Sequence, residues 1–598
     1  MNNTPLHTFH IPVLGLAYTI DSPVKVARYG INSVISIIED KLIELMRMHY
    51  YKEVNKPYIP ITPKEHDYRA RRITDYLNLI DDIVKEQVEK LASAAFETGS
   101  EISKYFEMLP DEHSLRLLYI EMMHSDDSSR KSLLADYLRK QVRAGRIDVN
   151  IMTKVDKNNY DADGTILTDS SDALAALRGY ANSDLTNSAV IFSAGLNPRL
   201  FNYLETLQAF RPKGWGIFDK SVVVKVSDFR SALIQGKYLA KKGIWVSEFR
   251  IESGLNCGGH AFATDGSLLG PILEEFRIRR DELKDSLHTL YNSVMQQKGL
   301  ATFPEPHPLK ITVQGGIGTS EEANLLLSYY DVASTGWGTP FLLCPEATTV
   351  DDSTLHQLCA ARENDILLSK NSPLGIRFNY LKGTSSETER LARIRAGKPG
   401  SPCTEKHLVS NTEFTDKPIC TASHLYQKMK IAQLQALNLP ADEYEKQYRD
   451  IVSKECLCVG LSNAVTTHYK LPPFKQMRGI TMCPGPNVAY FNKIVSLKEM
   501  VDYIYGRCNI VDGERPHMFI KELSLNIAYL QEQLQQLTSA NEKTIRELRA
   551  FGDNLLAGIA YYRKRSSDFL QQRADIFNEA LNRCEVEVES LVAYKLPA

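Results

Sequence analysis

One histidine and three glycine-rich turns carry the chemistry that can be read from this chain. His260 closes the small-residue run Asn256-Cys257-Gly258-Gly259, directly after the strand-like stretch 243–251 (GIWVSEFRI). A histidine delivered at the end of a strand by glycines, which let the backbone approach a bulky group closely, suits a general acid or base. An isolated histidine satisfied by backbone partners is the plainer alternative. A second turn, Gln314-Gly315-Gly316-Ile317-Gly318, follows the apolar stretch 309–313 (LKITV) and opens a helix rich in Glu, Ala and Leu. A third, Gly336-Trp337-Gly338-Thr339-Pro340, follows 330–334 (YDVAS), read as a strand. Backbone amides exposed by glycine at two neighbouring strand ends are the usual grip on a phosphate in an eight-stranded α/β barrel. Gly315, Gly316, Gly338 and Thr339 are therefore the phosphate candidates, ordinary turn glycine being the competing reading.

Cysteine makes a second constellation. Of the ten present, five cluster late in the chain: Cys403, Cys420, Cys456, Cys458 and Cys483. With no secretory leader evident, a disulfide framework is not the expectation. Thiolates on turns such as GSPC, CLC and CPGP suit an iron–sulfur site, in which turn amides point at sulfur. The spacing C-x2-C-x2-C is absent, so zinc and unconnected buried thiols stay open beside it.

These residues need a scaffold, and the chain supplies a repeating one. Strand candidates occupy residues 10–17 (HIPVLGLA), 32–38, 147–155, 187–196 and 221–228, followed by the three that precede the turns above. Helical stretches separate them, such as 24–29 and 229–242, as right-handed crossovers require. Eight strands with intervening helices predict an α/β fold, a (β/α)8 TIM barrel over residues 1–345. It is interrupted at 39–146 by a helical insertion that is either a lid or a packing surface. Residues 346–520 read as a loop-rich, Cys-containing extension, and 521–598 as a C-terminal helical hairpin. Long C-terminal helices make a homo-oligomer plausible.

The chain has 598 residues, 43% of them hydrophobic and 24% charged, the composition of a globular enzyme. Its 71 basic and 73 acidic residues balance to −2, which points to neither nucleic acid nor an anionic membrane surface. No apolar run has the length of a membrane span, and a cytoplasmic location is expected.

The three turns, in order and spacing, resemble the nitronate monooxygenase family and its flavin-dependent enoyl-reductase relatives over residues 9–345. In those families a Gly-Gly-His turn, a Gly-Gly-Ile turn and a Gly-Thr-x-Phe turn end successive barrel strands. Here the matching residues are Gly258-Gly259-His260, Gly315-Gly316-Ile317 and Gly338-Thr339-Pro340-Phe341. Val313-Gln314-Gly315-Gly316 stands where the family has Ala-Ser-Gly-Gly, a departure that leaves the phosphate turn intact. The resemblance implies bound flavin mononucleotide (FMN), near Gly15 and Ala17 on one side and Gly259 on another, with His260 as the general acid or base. Lys225, a charge within VVVKVS, either faces the flavin at the barrel mouth or is solvated at the strand end. The cysteine half has no counterpart in the short monooxygenases.

The implied activity is oxidation or reduction of a small carbon acid, or of an unsaturated acyl or carbonyl compound. NAD(P)H or oxygen would be the second substrate, and an iron–sulfur cluster or a partner protein would relay electrons if the cysteines bind one. The same turns would equally serve a flavin-free lyase or isomerase acting on a phosphorylated substrate, or a barrel kept for assembly alone.

Overall fold

The structure is a computed structural model that describes residues 5–152, 155–160, 163, 165–166, 169–193, 195–257, 265–473, 477–537, 542–569 and 574–595. Eight parallel strands close into a barrel in sequence order: β1 (Phe9–Ile11), β2 (Asn32–Ser36), β3 (Ile147–Ile151), β4 (Ser188–Phe192), β5 (Lys220–Val226), β6 (Val246–Glu252), β7 (Lys310–Gln314) and β8 (Thr335–Gly336). The last strand pairs with both β7 and β1, so the expected (β/α)8 TIM barrel is the fold. Strands buried on both faces must be apolar almost throughout, and runs such as SAVIF and KSVVVKV are.

The third and fourth strands end sooner than expected, at Ile151 and Phe192, and two others depart further from their sequence reading. The expected first strand, residues 10–17, ends at Ile11, because Gly15 takes φ +56° and Tyr18 N–H donates back to Leu14 O (3.2 Å). The eighth lies not at 330–334 but just beyond. Asp331 adopts φ +53° and pairs with Arg280 outside the barrel, so the chain becomes extended only at Thr335.

Side-chain alternation divides the barrel interior into levels. Low in the barrel lies an ionic level, where Arg250 pairs with Glu248 (2.7 Å), Thr312 Oγ1 donates to Glu248 (2.6 Å) and Arg146 pairs with Asp148 (2.9 Å). A small apolar cluster of Val13, Val34, Ala189, Ile191 and Val223 is distinct from the main core, to which the strands contribute residues such as Val190 and Phe249. At the carboxyl ends of the strands stand Ser36, Asn150, Lys225, Glu252 and Gln314.

Within the insertion, the long helix Tyr68–Ser93 lies in the outer ring of the barrel. Its Arg69 donates to Ile38 O, Tyr76 OH donates to Ile20 O (2.9 Å), and Thr74 Oγ1 donates to Gly179 O (2.9 Å) on the neighbouring helix Asp172–Ala181. Only glycine fits at 179, since a Cβ there would stand 2.6 Å from Ala70 O.

The extension is more regular than its composition suggests. Residues 369–403, expected to be loop, include β10 (Phe378–Leu381), paired antiparallel with β9 (Ile366–Ser369), and the helix Ser385–Arg395. The turn expected at ECLCVG contains a short helix, Leu457–Gly460. Three helices, not a pair, end the chain: Met518–Gln535, Glu542–Phe569 and Ala574–Lys595. They pack back on the segment that leads from β6, where Tyr562 OH accepts from Gly270 N–H (3.0 Å) and Asn554 Nδ2 donates to Asp265 O (2.7 Å). Among the described residues, no helix is long and apolar enough to cross a membrane.

Candidate active site

The second and third glycine turns meet at the carboxyl end of the barrel, where both pack against Leu255, Asn256 and Cys257, the described start of the first. A Cβ on Gly315 would lie 3.0 Å from Asn256 Cα, one on Gly316 would lie 2.4 Å from Leu255 Cδ1, and one on Gly338 would lie 3.1 Å from both Cys257 Cβ and Leu14 Cδ2. Gly315 and Gly316 also hold φ +100° and +84°, a region that costs other residues energy. The β1 loop bearing Gly15 and Ala17 reaches this point through Leu14, with Ala17 buried.

A segment from the extension clamps the turns from behind. Asn487 Nδ2 donates to Gly316 O (2.8 Å) and Ile317 O (3.1 Å), and Arg515 Nη2 donates to Gly316 O (2.6 Å). Arg515 is itself fixed by Glu322 (2.6 Å) and by Asn487 Oδ1 (3.1 Å), and Tyr503 OH donates to Gly318 O. A trans peptide points its N–H opposite to its C=O, so gripping Gly316 O aims the Ile317 N–H away from the clamp. Among the described residues, no atom accepts a hydrogen bond from the amides of Gly316, Ile317, Gly338 or Thr339. Four N–H groups without an acceptor among the described residues, on two neighbouring turns, are the kind of donor set that could hold an anion. Gly485 N–H donates to Thr339 Oγ1 (3.1 Å), and the Cys257 thiol donates to Cys483 O (3.6 Å), closing one side. Burial pushes the Cys257 thiol up to about 12, so it stands there neutral.

Deeper in the mouth, Glu252 Oε1 collects three donors: Lys225 Nζ (3.1 Å), Asn256 Nδ2 (2.7 Å) and Gln314 Nε2 (2.9 Å). Lys225 thus belongs to the barrel mouth rather than to solvent. At the same end of the barrel are buried polar atoms without a partner among the described residues: Gln314 Oε1 on β7 and, on the far strands β3 and β2, both amide atoms of Asn150 and Ser36 Oγ. Native interiors seldom leave such groups unpaired unless a ligand or an ordered water meets them. A planar ring with carbonyl and N–H edges fits these orphans, and its phosphate fits the four amides. The residues present therefore suit FMN.

His260 and Gly259 fall in 258–264, which lies outside the described residues. The chain on either side is fixed, at Cys257 by the turns and from Asp265 onward by the C-terminal helices. Beneath Gly254 and Leu255, a cavity of about 260 Å³ is also lined by Arg377, Glu522, Asn526 and Tyr529. Burial lifts the Glu522 carboxyl to about 7, and its oxygen accepts from Leu269 N–H (2.9 Å).

The cysteines divide. Cys403, Cys420, Cys456 and Cys458 lie together in the extension, whereas Cys483 stands with Cys257 at the glycine turns. Among the described residues, no group of three or more His, Cys, Asp or Glu side chains is arranged to hold a metal ion.

Sequence reasoning missed Glu252, Asn150, Ser36, Asn256, Asn487 and Arg515. A signal existed for some of them, since IDVNI and VSEFRIE alternate polar with apolar residues inside buried strands, which marks the polar ones as inward-facing. None existed for Asn487 and Arg515, which come from more than 150 residues further along the chain than the turn they grip.

No family model matches this chain, and no curated protein matches it. Among solved structures it is similar to the enoyl reductase domain of MlnA from the macrolactin biosynthesis cluster of Bacillus amyloliquefaciens, at 15% identity and a TM-score of 0.33. The alignment covers 71% of this chain and 94% of that one. So distant a likeness carries no conclusion about activity, and the barrel rests on its own strand pairing.

Proposed function

We propose that the chain is an FMN-dependent oxidoreductase of the nitronate monooxygenase or enoyl-reductase type. The observation that carries this reading is the pairing of four unclaimed turn amides with unpartnered amide side chains at one barrel mouth. When bound, FMN supplies hydride or single-electron transfer at its ring.

The chain's own residues would do the rest. The amides of Gly316, Ile317, Gly338 and Thr339 hold the phosphate, while Asn487 and Arg515 keep the first turn oriented by holding its carbonyls. Asn150, Gln314 and Lys225 present donors and acceptors to the ring edge, and the Glu252 carboxylate fixes two of these three in place. His260 removes a proton from carbon next to an electron-withdrawing group, or delivers one to a developing carbanion. Gly15 and Ala17 would complete the wall, and the family resemblance adds Gly259. Substrates would be small carbon acids or unsaturated acyl or carbonyl compounds.

Titration of purified protein with FMN, followed by turnover assays, tests this reading. Wild type should bind FMN, and His260→Ala should bind it equally while losing turnover. Consumption of NAD(P)H without oxygen would identify the reductase branch, and oxygen uptake with a nitronate the other. Failure to bind FMN, with binding of a phosphorylated sugar or acid at the same turns, would replace the proposal with the lyase or isomerase reading.

A further inference from the structure

Residues 382–455 place no side chain in the main hydrophobic core, and Leu408 alone among them rests against it part-buried. The loop tract 396–423 is nevertheless ordered around four cysteines drawn from three separated stretches. Backbone pairing brings these stretches together: Ser401 N–H donates to Ala422 O (2.9 Å), His424 N–H donates to Ser401 O (2.9 Å), and Gln427 Nε2 reaches Thr421 O (3.4 Å) and Lys454 O (3.5 Å). Cys420, Cys456 and Cys458 are buried, and all four thiols are free. Cys403 hydrogen-bonds Cys420, and Cys456 hydrogen-bonds both Cys458 and Ser401. The two pairs also sense each other's charge, with Cys458 acted on by Cys403, Cys420 and Cys456. Backbone N–H groups at Lys406, Ala422 and Val459 point at the sulfurs of Cys403, Cys420 and Cys456. Amide-to-sulfur bonds of this kind stabilise thiolates.

We propose that Cys403, Cys420, Cys456 and Cys458 bind a tetrahedral, all-thiolate metal centre of zinc or iron that staples this coreless tract, and that Cys483 is not a ligand. In the conformation described the four thiols meet as two pairs, not around a common point. Tetrahedral metal–sulfur bonds of about 2.3 Å set neighbouring sulfurs about 3.8 Å apart. That is close to the separation of hydrogen-bonded thiols, so each pair could supply two neighbouring corners of the tetrahedron, and the centre requires side-chain movement to bring the two pairs together. Binding displaces the thiol protons to solvent and transfers no electron. Coreless small units depend on such staples.

The centre would also brace the glycine turns. Thr481, two residues before Cys483, donates its N–H to Gly460 O (3.0 Å) and its hydroxyl to Glu455 (2.5 Å), on the same stretch as Cys456 and Cys458. From there the chain runs to Gly485, bonded to Thr339. The inference stands on the cysteines themselves and holds whether or not FMN binds.

Elemental and acid-labile sulfide analysis of the full-length chain, purified anaerobically without chelator from metal-supplemented cells, tests it. The expected result is one zinc or iron ion per chain without acid-labile sulfide, whereas stoichiometric sulfide would mean a cluster and overturn the single-ion centre. Cys420→Ser and Cys458→Ser should lose the metal, and Cys483→Ser and Cys508→Ser should keep it. Should the first two variants fail to fold, cobalt uptake by wild type, read as thiolate-to-cobalt charge-transfer absorption, takes their place. Metal-free folded protein that takes up no cobalt would overturn the proposal. So would a non-reduced sample showing fewer than its ten free thiols after unfolding, or metal retained in Cys458→Ser.

Discussion

Two levels of one barrel interior are built on opposite terms. In the lower level the charged groups pair, Glu248 with Arg250 and Thr312 and Asp148 with Arg146, and single atoms of Arg146, His10 and Ser33 are left over. In the upper level Asn150 has none for either amide atom, and Gln314 lacks one for its oxygen. A buried group left unpaired costs about 1–3 kcal/mol. The lower level therefore looks after the fold, while the upper level tolerates a deficit that a bound ring would relieve.

The largest way to break this contrast is Arg250→Met, which strands Glu248 as a buried charge and should cost about 3–5 kcal/mol in urea unfolding. Next comes Gly316→Val. Its Cβ would meet Leu255 Cδ1 at 2.4 Å in a backbone at φ +84°, so it should abolish FMN binding and cost about 1–3 kcal/mol of stability. Third, Asn150→Leu should leave the FMN-free protein as stable as wild type or more so, yet weaken FMN binding about tenfold, near 1.4 kcal/mol. Lower stability of the FMN-free variant would mean that Asn150 belongs to the fold and that the two levels do not differ.

The smallest effect sharpens the contrast through pH. Glu522 is raised by burial from 4.5 to about 7, so its contribution is fully present below pH 4.5 and is lost as pH rises through 7. Glu248 runs the other way. Burial alone would raise it, but Arg250, His10 and Thr312 outweigh burial and hold it at about 2, so its contribution is present above pH 4.5 and lost as pH falls toward 2. Melting temperatures from pH 4.5 to 8 should fall less for Glu522→Gln than for wild type. Those from pH 4.5 to 2 should fall less for Glu248→Gln.

Much of the barrel was legible because strands buried on both faces must be written in apolar residues, as SAVIF and VVVKV are. The turns were legible because Gly315 and Gly316 occupy backbone that favours glycine. The eighth strand was misplaced because YDVAS has strand-like composition while Asp331 turns left-handed to meet Arg280, a tertiary pairing no local pattern reveals. The same limit hid the grip of Asn487 and Arg515 on Gly316 and the separation of Cys483 from the other four cysteines. The helix Ser385–Arg395 was missed because Gly, Pro and Ser on both sides masked its capped start, where Thr384 accepts from Glu387 N–H.

The central claim is that the barrel mouth is an FMN site, and the most direct measurement is the absorption spectrum of anaerobically purified protein together with the identity of whatever heat releases from it. A yellow protein that releases one FMN per chain, and that turns colourless in Gly316→Val, is the predicted result. A colourless wild type that stays colourless after incubation with excess FMN would contradict it.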